Sequence, residues 1–144
     1  MIIISCDHAG YDYADKLMKF FSDKKVEYKY MGPKELDPKD DYPDFIDPAC
    51  HEVEKSADNV GIFICGSGVG ANIVANRHSG IRAVCAQDYT LAYLARKDED
   101  ANVLTLGARL ISFRTAVKII KMFLTSEFEG GRHIRRIEKL RTLK

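Results

Sequence analysis

Short apolar runs alternate with longer amphipathic stretches along the chain of 144 residues. Five of the runs have the length of buried strands and are rich in β-branched, aromatic or leucine side chains. They cover residues 2–5, 26–30, 60–64, 81–86 and 102–106. Strands that alternate with helical stretches are typical of a parallel sheet with crossover helices.

The stretches between these runs have the spacing of amphipathic helices. In residues 11–24, Leu17, Phe20 and Phe21 share one helical face, and charged side chains occupy another. Further helices are expected from Pro43 through Val53, through Ile73 to Asn76, from Asp88 to about Asp98, over residues 113–125, and after Gly131 to the C-terminus.

These elements predict an α/β fold in one domain over residues 1–144. The expected architecture is a three-layer α/β/α sandwich with a five-stranded, parallel, doubly wound, Rossmann-like sheet and a C-terminal helix. Right-handed crossovers favour the strand order 2-1-3-4-5. In such sheets ligands bind at the carboxyl ends of the strands where the order reverses, here between strands 1 and 3. The sequence places Asp7, His8, Cys65 and Ser67 at this point.

Composition and charge argue against several classes of protein, namely those that bind nucleic acid, lie on or span membranes, or are exported. The chain is 46% hydrophobic and 30% charged, and its net charge of +1 gives no overall attraction to nucleic acid or to anionic membranes. No apolar run reaches the roughly 18 residues of a membrane span, and residues 2–5 are interpreted as a strand rather than a signal peptide. The four cysteines form no C-x-x-C pair, so we expect free thiols and a cytoplasmic protein.

The segment that carries most chemical information begins at Cys65. An apolar strand ends in this thiol, and Gly66, Gly68 and Gly70 follow it before a helix. Such glycine spacing lets backbone N–H groups converge on an anion, and their positive ends favour the thiolate of a neighbouring cysteine. The alternative is a tight turn between strand and helix in which the cysteine is incidental.

Two nucleotide-binding motifs do not fit the glycines. The Walker sequence G-x-x-x-x-G-K-[ST] is absent, and G-x-G-x-G differs from the dinucleotide motif G-x-G-x-x-G. Asp88 lies about 20 residues beyond the glycines, as a ribose-binding acid would, but it also suits the N-cap of the next helix. We favour the N-cap.

Basic residues near the C-terminus form a second candidate site. Arg132 and Arg136 are spaced i, i+4, so both guanidinium groups lie on one helical face beside His133 and suit a phosphate. A solvated basic helix is the alternative, and nucleic-acid binding is disfavoured because aromatic stacking residues are missing nearby. His51 and His78 are expected at the surface.

Six segments resemble one family, the type B ribose-5-phosphate isomerases and the related galactose-6-phosphate isomerase subunits. They occur in the family order and span nearly the whole chain. The segments are SCDHAG at 5–10, DYPD at 41–44, CGSGVG at 65–70, DANVL at 100–104, LGAR at 106–109 and GGRH at 130–133.

The resemblance implies a reaction that uses neither cofactor nor metal. D-ribose 5-phosphate and D-ribulose 5-phosphate would interconvert through a cis-enediolate, with Cys65 as base and Ser67 as a proton shuttle. Contacts to the sugar would come from Asp7, His8, Tyr42, Gly66, Gly68, Val69, Gly70 and Asn102. Contacts to the phosphate would come from His8, Arg109, Arg132, His133 and Arg136. The family also implies a homodimer, or a tetramer, whose subunits share sites.

Asp98 and the pair Ala71-Asn72 depart from the family pattern. One branch of the family uses a glutamate base at the position of Ala71, so Cys65 assigns this chain to the other branch. Asp98 stands where most members carry a ring-opening histidine, and Ala71-Asn72 replaces the usual Met-Ser. Asp98 is therefore a candidate ring-opening group, with His8 as the alternative.

Other functions remain open on the sequence alone. The substrate could be another phosphosugar, such as a tetrose 4-phosphate, galactose 6-phosphate or allose 6-phosphate. A phosphosugar-binding module without turnover and a nucleotide-binding domain are the alternatives from other classes.

Overall fold

A five-stranded parallel sheet forms the centre of the computed structural model, which describes residues 1–143. Its strands are β1 (Ile2–Cys6), β2 (Tyr28–Tyr30), β3 (Val60–Cys65), β4 (Ala83–Cys85) and β5 (Val103–Gly107). Every neighbouring pair is parallel. With helices on both faces, the sheet confirms the predicted three-layer, Rossmann-like α/β/α fold.

Six α-helices connect or follow the strands within the described residues. They are α1 (Tyr11–Asp23), α2 (Pro43–Glu54), α3 (Val69–Ala75), α4 (Tyr89–Glu99), α5 (Phe113–Thr125) and α6 (Arg132–Leu140). Asp88 accepts a hydrogen bond from the Leu91 N–H at 2.9 Å, which confirms the predicted N-cap of α4. From residue 1 to residue 143, every helix is too short or too polar to span a membrane.

Apolar side chains pack on both faces of the sheet. On one face, α1, α4 and α5 cover residues such as Ile4 and Leu104. On the other face, α2 and α3 cover Ile3 and Phe63. Because successive side chains of a strand point to opposite faces, a strand covered on both sides is apolar along its whole length.

The strand order is β2-β1-β3-β5-β4, so the predicted order 2-1-3-4-5 is wrong for the last two strands. All five residues of β5 are buried, and such a strand needs a neighbour on each side. The three residues of β4 are only partly buried, which suits the edge. The exchange of β4 and β5 does not move the point where the strand order reverses. That point still lies between β1 and β3, because β1 pairs with both β2 and β3.

The carboxyl ends of β1, β3 and β5 meet at one edge of the sheet. The Asp7 N–H donates to the Ile64 carbonyl at 3.4 Å, and the Arg109 N–H donates to the Gly66 carbonyl at 3.0 Å. These hydrogen bonds hold the three following loops against one another. Side chains from all three loops can therefore face the same cavity.

Candidate active site

Cys65 ends β3 and is only 4% exposed. Its sulfur accepts a hydrogen bond from the Gly68 N–H, with 3.2 Å between Sγ and N. This hydrogen bond fixes the position of the sulfur, and the thiolate is the form of cysteine that accepts a proton. The turn after β3 therefore holds a group that can act as a base.

Gly68 is required by the shape of this turn. Its φ is +80°, in the left-handed region that side chains other than glycine rarely adopt. A methyl group added there would lie 2.8 Å from Cys85 Sγ and 2.9 Å from the carbonyl carbon of Leu106. The turn is thus packed tightly against β4 and β5.

Backbone amides at the start of α3 border the same site. The Val69 N–H donates to Ser67 Oγ at 3.2 Å. The Asn72 N–H donates to the Gly68 carbonyl at 3.1 Å and closes the first turn of the helix. The N–H groups of Gly68 and Val69 therefore donate within the turn, and among residues 66–70 those of Gly66, Ser67 and Gly70 are left to bind a developing oxyanion.

A cavity of about 290 Å³ lies over Cys65. Its lining residues are Asp7, Tyr42, Cys65, Gly66, Ser67, Gly70, Arg109 and Leu110. All except Leu110, an apolar residue that the sequence did not single out, were predicted for the site. A methyl group at Gly70 would lie 2.8 Å from Tyr42 Cζ, and one at Gly66 would lie 3.2 Å from Arg109 Nη1, so these two side chains cover the glycines.

The two charged groups after β1 are held by the fold. Asp7 is 5% exposed, and its Oδ1 accepts a hydrogen bond from the Gly10 N–H at 3.1 Å. His8 Nδ1 lies 2.6 Å from Asp40 Oδ1, and the His8 N–H donates to the same oxygen at 3.0 Å. Asp40 therefore orients the His8 ring.

Sequence reasoning did not find Asp40. Its side chain is 7% exposed, and its Oδ2 has no hydrogen-bond partner within residues 1–143. The only signal was its place directly before the DYPD segment at 41–44. Its pairing with His8 spans 32 positions and becomes visible only in the folded chain.

A family profile described as Ribose/Galactose Isomerase matches residues 2–140. The chain belongs to this family. The probable ribose-5-phosphate isomerase B of Mycoplasma pneumoniae is 40% identical over 139 residues, which are 96% of this chain and 91% of that protein. The ribose-5-phosphate isomerase B of Escherichia coli is 35% identical over 140 residues, which are 96% of this chain and 93% of that protein.

Solved structures support the same relationship. The ribose-5-phosphate isomerase B of Mycoplasma genitalium, crystallised with bound ribulose-5-phosphate, has a TM-score of 0.93 and is 38% identical. The match covers 96% of this chain and 92% of that one. The resemblance inferred from the six sequence segments is therefore confirmed.

Eight residues that the family resemblance assigns to the site do not line the Cys65 cavity of this single chain. His8, Gly68 and Val69 are next to lining residues in the sequence, whereas Asp98, Asn102, Arg132, His133 and Arg136 come from other segments. Asn102 directly precedes β5 and so lies at the amino ends of the strands, whereas Cys65 ends β3. β3 and β5 are parallel and paired from Gly61 to Cys65, which is four residue steps or about 13 Å. Asn102 and Cys65 therefore lie at opposite ends of the strands.

The Asn102 amide already has partners within the fold. Its Oδ1 accepts from the Arg82 N–H at 2.8 Å, and its Nδ2 donates to the Gly80 carbonyl at 2.8 Å. These bonds attach the start of β5 to the segment before β4. One further donor and one further acceptor position of the amide remain for another ligand.

Asp98 and His133 are neighbours where α4 meets α6. His133 Nε2 lies 3.6 Å from Asp98 Oδ1 and 3.4 Å from Glu129 Oε2. The ring is 3% exposed, and neither of its nitrogens has a hydrogen-bond partner within the described chain. Arg132 and Arg136 are exposed on α6, so an imidazole, a carboxylate and two exposed guanidinium groups lie away from Cys65.

Two other thiols are unsuited to the reaction. Burial raises the pKa of Cys6 to about 12, although a hydrogen bond with Tyr30 opposes that rise, and burial also raises the pKa of Cys50 to about 12. Both side chains lie in the apolar cores on either face of the sheet. A groove of about 500 Å³ beside β4 is larger than the Cys65 cavity, but its lining includes no thiol.

Proposed function

We propose that the chain is an aldose–ketose isomerase that interconverts D-ribose 5-phosphate and D-ribulose 5-phosphate, with Cys65 as the base. The observation that carries this proposal is the 3.2 Å hydrogen bond from the Gly68 amide to Cys65 Sγ, beneath a cavity lined by Asp7 and Arg109. The names of the relatives and the ribulose-5-phosphate bound to the Mycoplasma genitalium protein support the choice of substrate.

In this proposal the open-chain aldose lies with C1 and C2 over Cys65. The thiolate takes the proton from C2, and the electron pair passes to the carbonyl oxygen on C1, which gives a cis-enediolate. Cys65 then returns its proton to C1, while the hydroxyl proton of O2 moves to O1 through Ser67. The N–H groups of Gly66, Ser67 and Gly70 hold the oxyanion, which is commonly the largest single contribution to such catalysis.

The remaining roles follow from charge and position. Asp7 and Tyr42 line the cavity and can orient the hydroxyl groups of the sugar. Arg109 supplies a fixed positive charge in the cavity, and the imidazole of His8, which Asp40 orients directly after the cavity residue Asp7, is the second candidate donor. Charge-assisted hydrogen bonds of this kind suit the phosphate.

We propose further that the active site is shared between two copies of the chain. The cavity of about 290 Å³ lies at the lower limit for ligand pockets, and Asn102, Arg132 and Arg136 lie away from it. Exposed apolar side chains on α3 and α4 offer a surface for a second copy. They are Val69, Ile73, Leu91 and Leu94, which are 41–54% exposed.

A mixing experiment tests the shared site. Cys65→Ala lacks the base, and Arg136→Ala should bind phosphate about 10- to 150-fold more weakly because a charged hydrogen-bond partner is lost. Mixed dimers would hold one site with both groups intact, so subunit exchange should restore about one quarter of wild-type activity. Activity is measured at low substrate concentration after exchange has been verified.

Arg135→Ala is the matched control, because Arg135 is exposed on α6 next to Arg136. This variant should keep near-normal affinity for inorganic phosphate. If the mixture of Cys65→Ala and Arg136→Ala subunits stays inactive after exchange, each site is built from one chain. If Arg136→Ala binds phosphate normally, the helix is only solvated and basic.

We propose Asp98 as the group that opens the furanose ring. Ring opening takes a proton from the anomeric hydroxyl and returns one to the ring oxygen. An isolated aspartic acid is a poor proton donor near neutral pH, whereas imidazole is a good one. Asp98 has His133 Nε2 at 3.6 Å, so a proton carrier stands beside the carboxylate.

Substrates with and without a ring separate this role from binding. Asp98→Asn should slow the turnover of ribose 5-phosphate more than that of a tetrose 4-phosphate, which cannot close a furanose through its phosphorylated oxygen. A selective loss of about 10²-fold is expected for a general acid–base group. Single-turnover assays measure it, and Glu99→Gln, which changes the exposed neighbouring acid, serves as the control. Equal effects on both substrates would leave His8 or spontaneous opening as the route.

The function itself is tested by the purified protein. Ribose 5-phosphate in deuterated water should give ribulose 5-phosphate and incorporate deuterium. A binding module would bind the sugar phosphate without exchanging hydrogen, and faster turnover of a tetrose or hexose phosphate would change the assigned substrate. We place the activity in the cytoplasm, which is supported by the four free thiols.

A further inference from the structure

A second group of histidines and carboxylates lies on the outer side of α2, away from the Cys65 cavity. Asp47, His51 and Glu54 are spaced i, i+4 and i+7 and share one face of the helix. His78, from the segment after α3, stands next to them. The two histidine rings pack edge to face, with 4.7 Å between their centres and 81° between their planes.

Glu54 fixes both histidine rings. Its Oε2 lies 3.3 Å from His78 Nδ1 and 3.5 Å from His51 Nδ1. Its Oε1 accepts a hydrogen bond from the Gly80 N–H at 2.9 Å, so the carboxylate is itself held. When each Nδ1–H faces this carboxylate, each Nε2 is left with a lone pair.

Both Nε2 atoms then face one carboxylate. Asp47 Oδ1 lies 3.1 Å from His78 Nε2, and Asp47 Oδ2 lies 3.9 Å from His51 Nε2. Ligand atoms around a tetrahedral zinc ion, at bonds of 2.0–2.1 Å, stand about 3.3 Å apart. The observed separations lie on either side of this spacing.

A cation at the same place would also balance the charges. Without an ion, His78 Nε2 and Asp47 Oδ1 at 3.1 Å form a hydrogen bond, and the ion would take the place of its hydrogen. A divalent ion bound by two neutral imidazoles would balance the charges of Asp47 and Glu54. A carboxylate that accepts the Nδ1–H of a metal-bound histidine is a common outer partner of such sites.

We propose that this cluster is a binding site for a divalent transition metal ion of the zinc class. His51 Nε2, His78 Nε2 and an Asp47 oxygen are the ligands, Glu54 orients both rings, and water completes the coordination. His51 is exposed, as the sequence predicts, but the His78 side chain is only 10% exposed. The ion would link α2 to the segment after α3 and takes no part in the chemistry at Cys65.

Two other clusters could compete for metal within residues 1–143. Asp7, His8 and Asp40 form one, and Asp98, Glu129 and His133 form the other. Each contains a single histidine, whereas the cluster on α2 has two whose ring orientations one carboxylate sets. Imidazole nitrogen is the better ligand for zinc-class ions, so the α2 cluster should fill first.

The test is a titration of the metal-free full chain with Zn²⁺ and, separately, with Co²⁺. We expect one equivalent to bind, and Co²⁺ to give the visible absorption of nitrogen and oxygen ligands without the thiolate charge-transfer band of cysteine. His51→Gln and His78→Gln should each weaken binding by at least about 10-fold, and Glu54→Gln by about 10- to 100-fold. His133→Gln, in a competing cluster, should leave the affinity unchanged.

Any one of three results would overturn the proposal. The wild-type chain does not bind Zn²⁺ or Co²⁺, the Co²⁺ complex shows a thiolate band, or His133→Gln loses metal affinity while His51→Gln keeps it. His51→Gln is the decisive variant, because the His51 side chain is 65% exposed and its replacement should not disturb the core. Unchanged affinity in this variant would remove the site whatever His78→Gln shows.

Discussion

Cys65→Ala should lower the turnover of ribose 5-phosphate by about 10²- to 10⁴-fold, the usual contribution of a general acid–base group. The thiol is held by the Gly68 amide at the floor of the cavity, so its loss removes the group that moves the proton. The substitution leaves Arg109 and the other proposed phosphate contacts in place, so affinity for inorganic phosphate should persist. Turnover is measured with verified, folded protein, and near-normal turnover would remove Cys65 from the mechanism.

Alkylation provides an independent readout of the same assignment. At pH 8, thiols whose pKa burial raises to about 12, those of Cys6 and Cys50, are ionised to roughly one part in ten thousand. They should stay unmodified by iodoacetamide until the protein unfolds. We expect Cys65 to react before the partly exposed Cys85, and sugar phosphate to protect it. Modification of Cys85 alone, without loss of activity, would contradict the assignment.

Gly68→Ala should lower kcat by about 10²- to 10³-fold, because the Gly68 N–H holds the proposed base, Cys65 Sγ, in position. The added methyl group would meet Cys85 Sγ at 2.8 Å and the Leu106 carbonyl carbon at 2.9 Å, so the turn would have to move. Its amide would then leave Cys65 Sγ. Steady-state kinetics and thermal denaturation measure the two effects.

Gly130→Ala is the matched control for Gly68→Ala. Gly130 has a φ of +70°, close to that of Gly68, but the nearest atom to an added methyl group is Ile134 Cδ1 at 3.7 Å. Both variants therefore place an alanine in the left-handed backbone region, at a cost of about 1–2 kcal/mol. Only Gly68→Ala also brings the added methyl group against neighbouring atoms. Equal kcat values for the two variants would show that the Gly68 amide has no catalytic role.

Helices and strands could be predicted from the sequence where a single hydrophobic periodicity runs through the whole element. The helix expected over residues 113–125 is α5, at the same bounds, and the strand expected over residues 60–64 ends one residue later. The strand expected from residue 26 begins at Tyr28 instead. Lys25 has a φ of +55°, and the Val26 N–H turns back to the Phe21 carbonyl at 2.9 Å, so the apolar Val26 closes α1 rather than starting β2.

The sequence alone identified the part of the site that is local. The Cys65 turn, its glycines and the helix after them are contiguous, so their geometry follows from short-range backbone rules. The residues after β1 and β5 could also be placed, because the carboxyl ends of parallel strands meet at one edge. Asp40 could not, since its partner His8 is 32 positions away.

Only the tertiary structure decided which parts come together over long distances. Periodicity reports how deeply a segment is buried but not which strand lies beside it, so the exchange of β4 and β5 became visible only in the folded chain. The same limit applies to Asn102, at the opposite edge of the sheet from Cys65, and to the histidine pair on α2. The sequence determined the fold class, the family and the Cys65 turn, because each depends on local patterns. Packing between distant segments decided the strand order, the pairing of Asp40 with His8 and the position of α6.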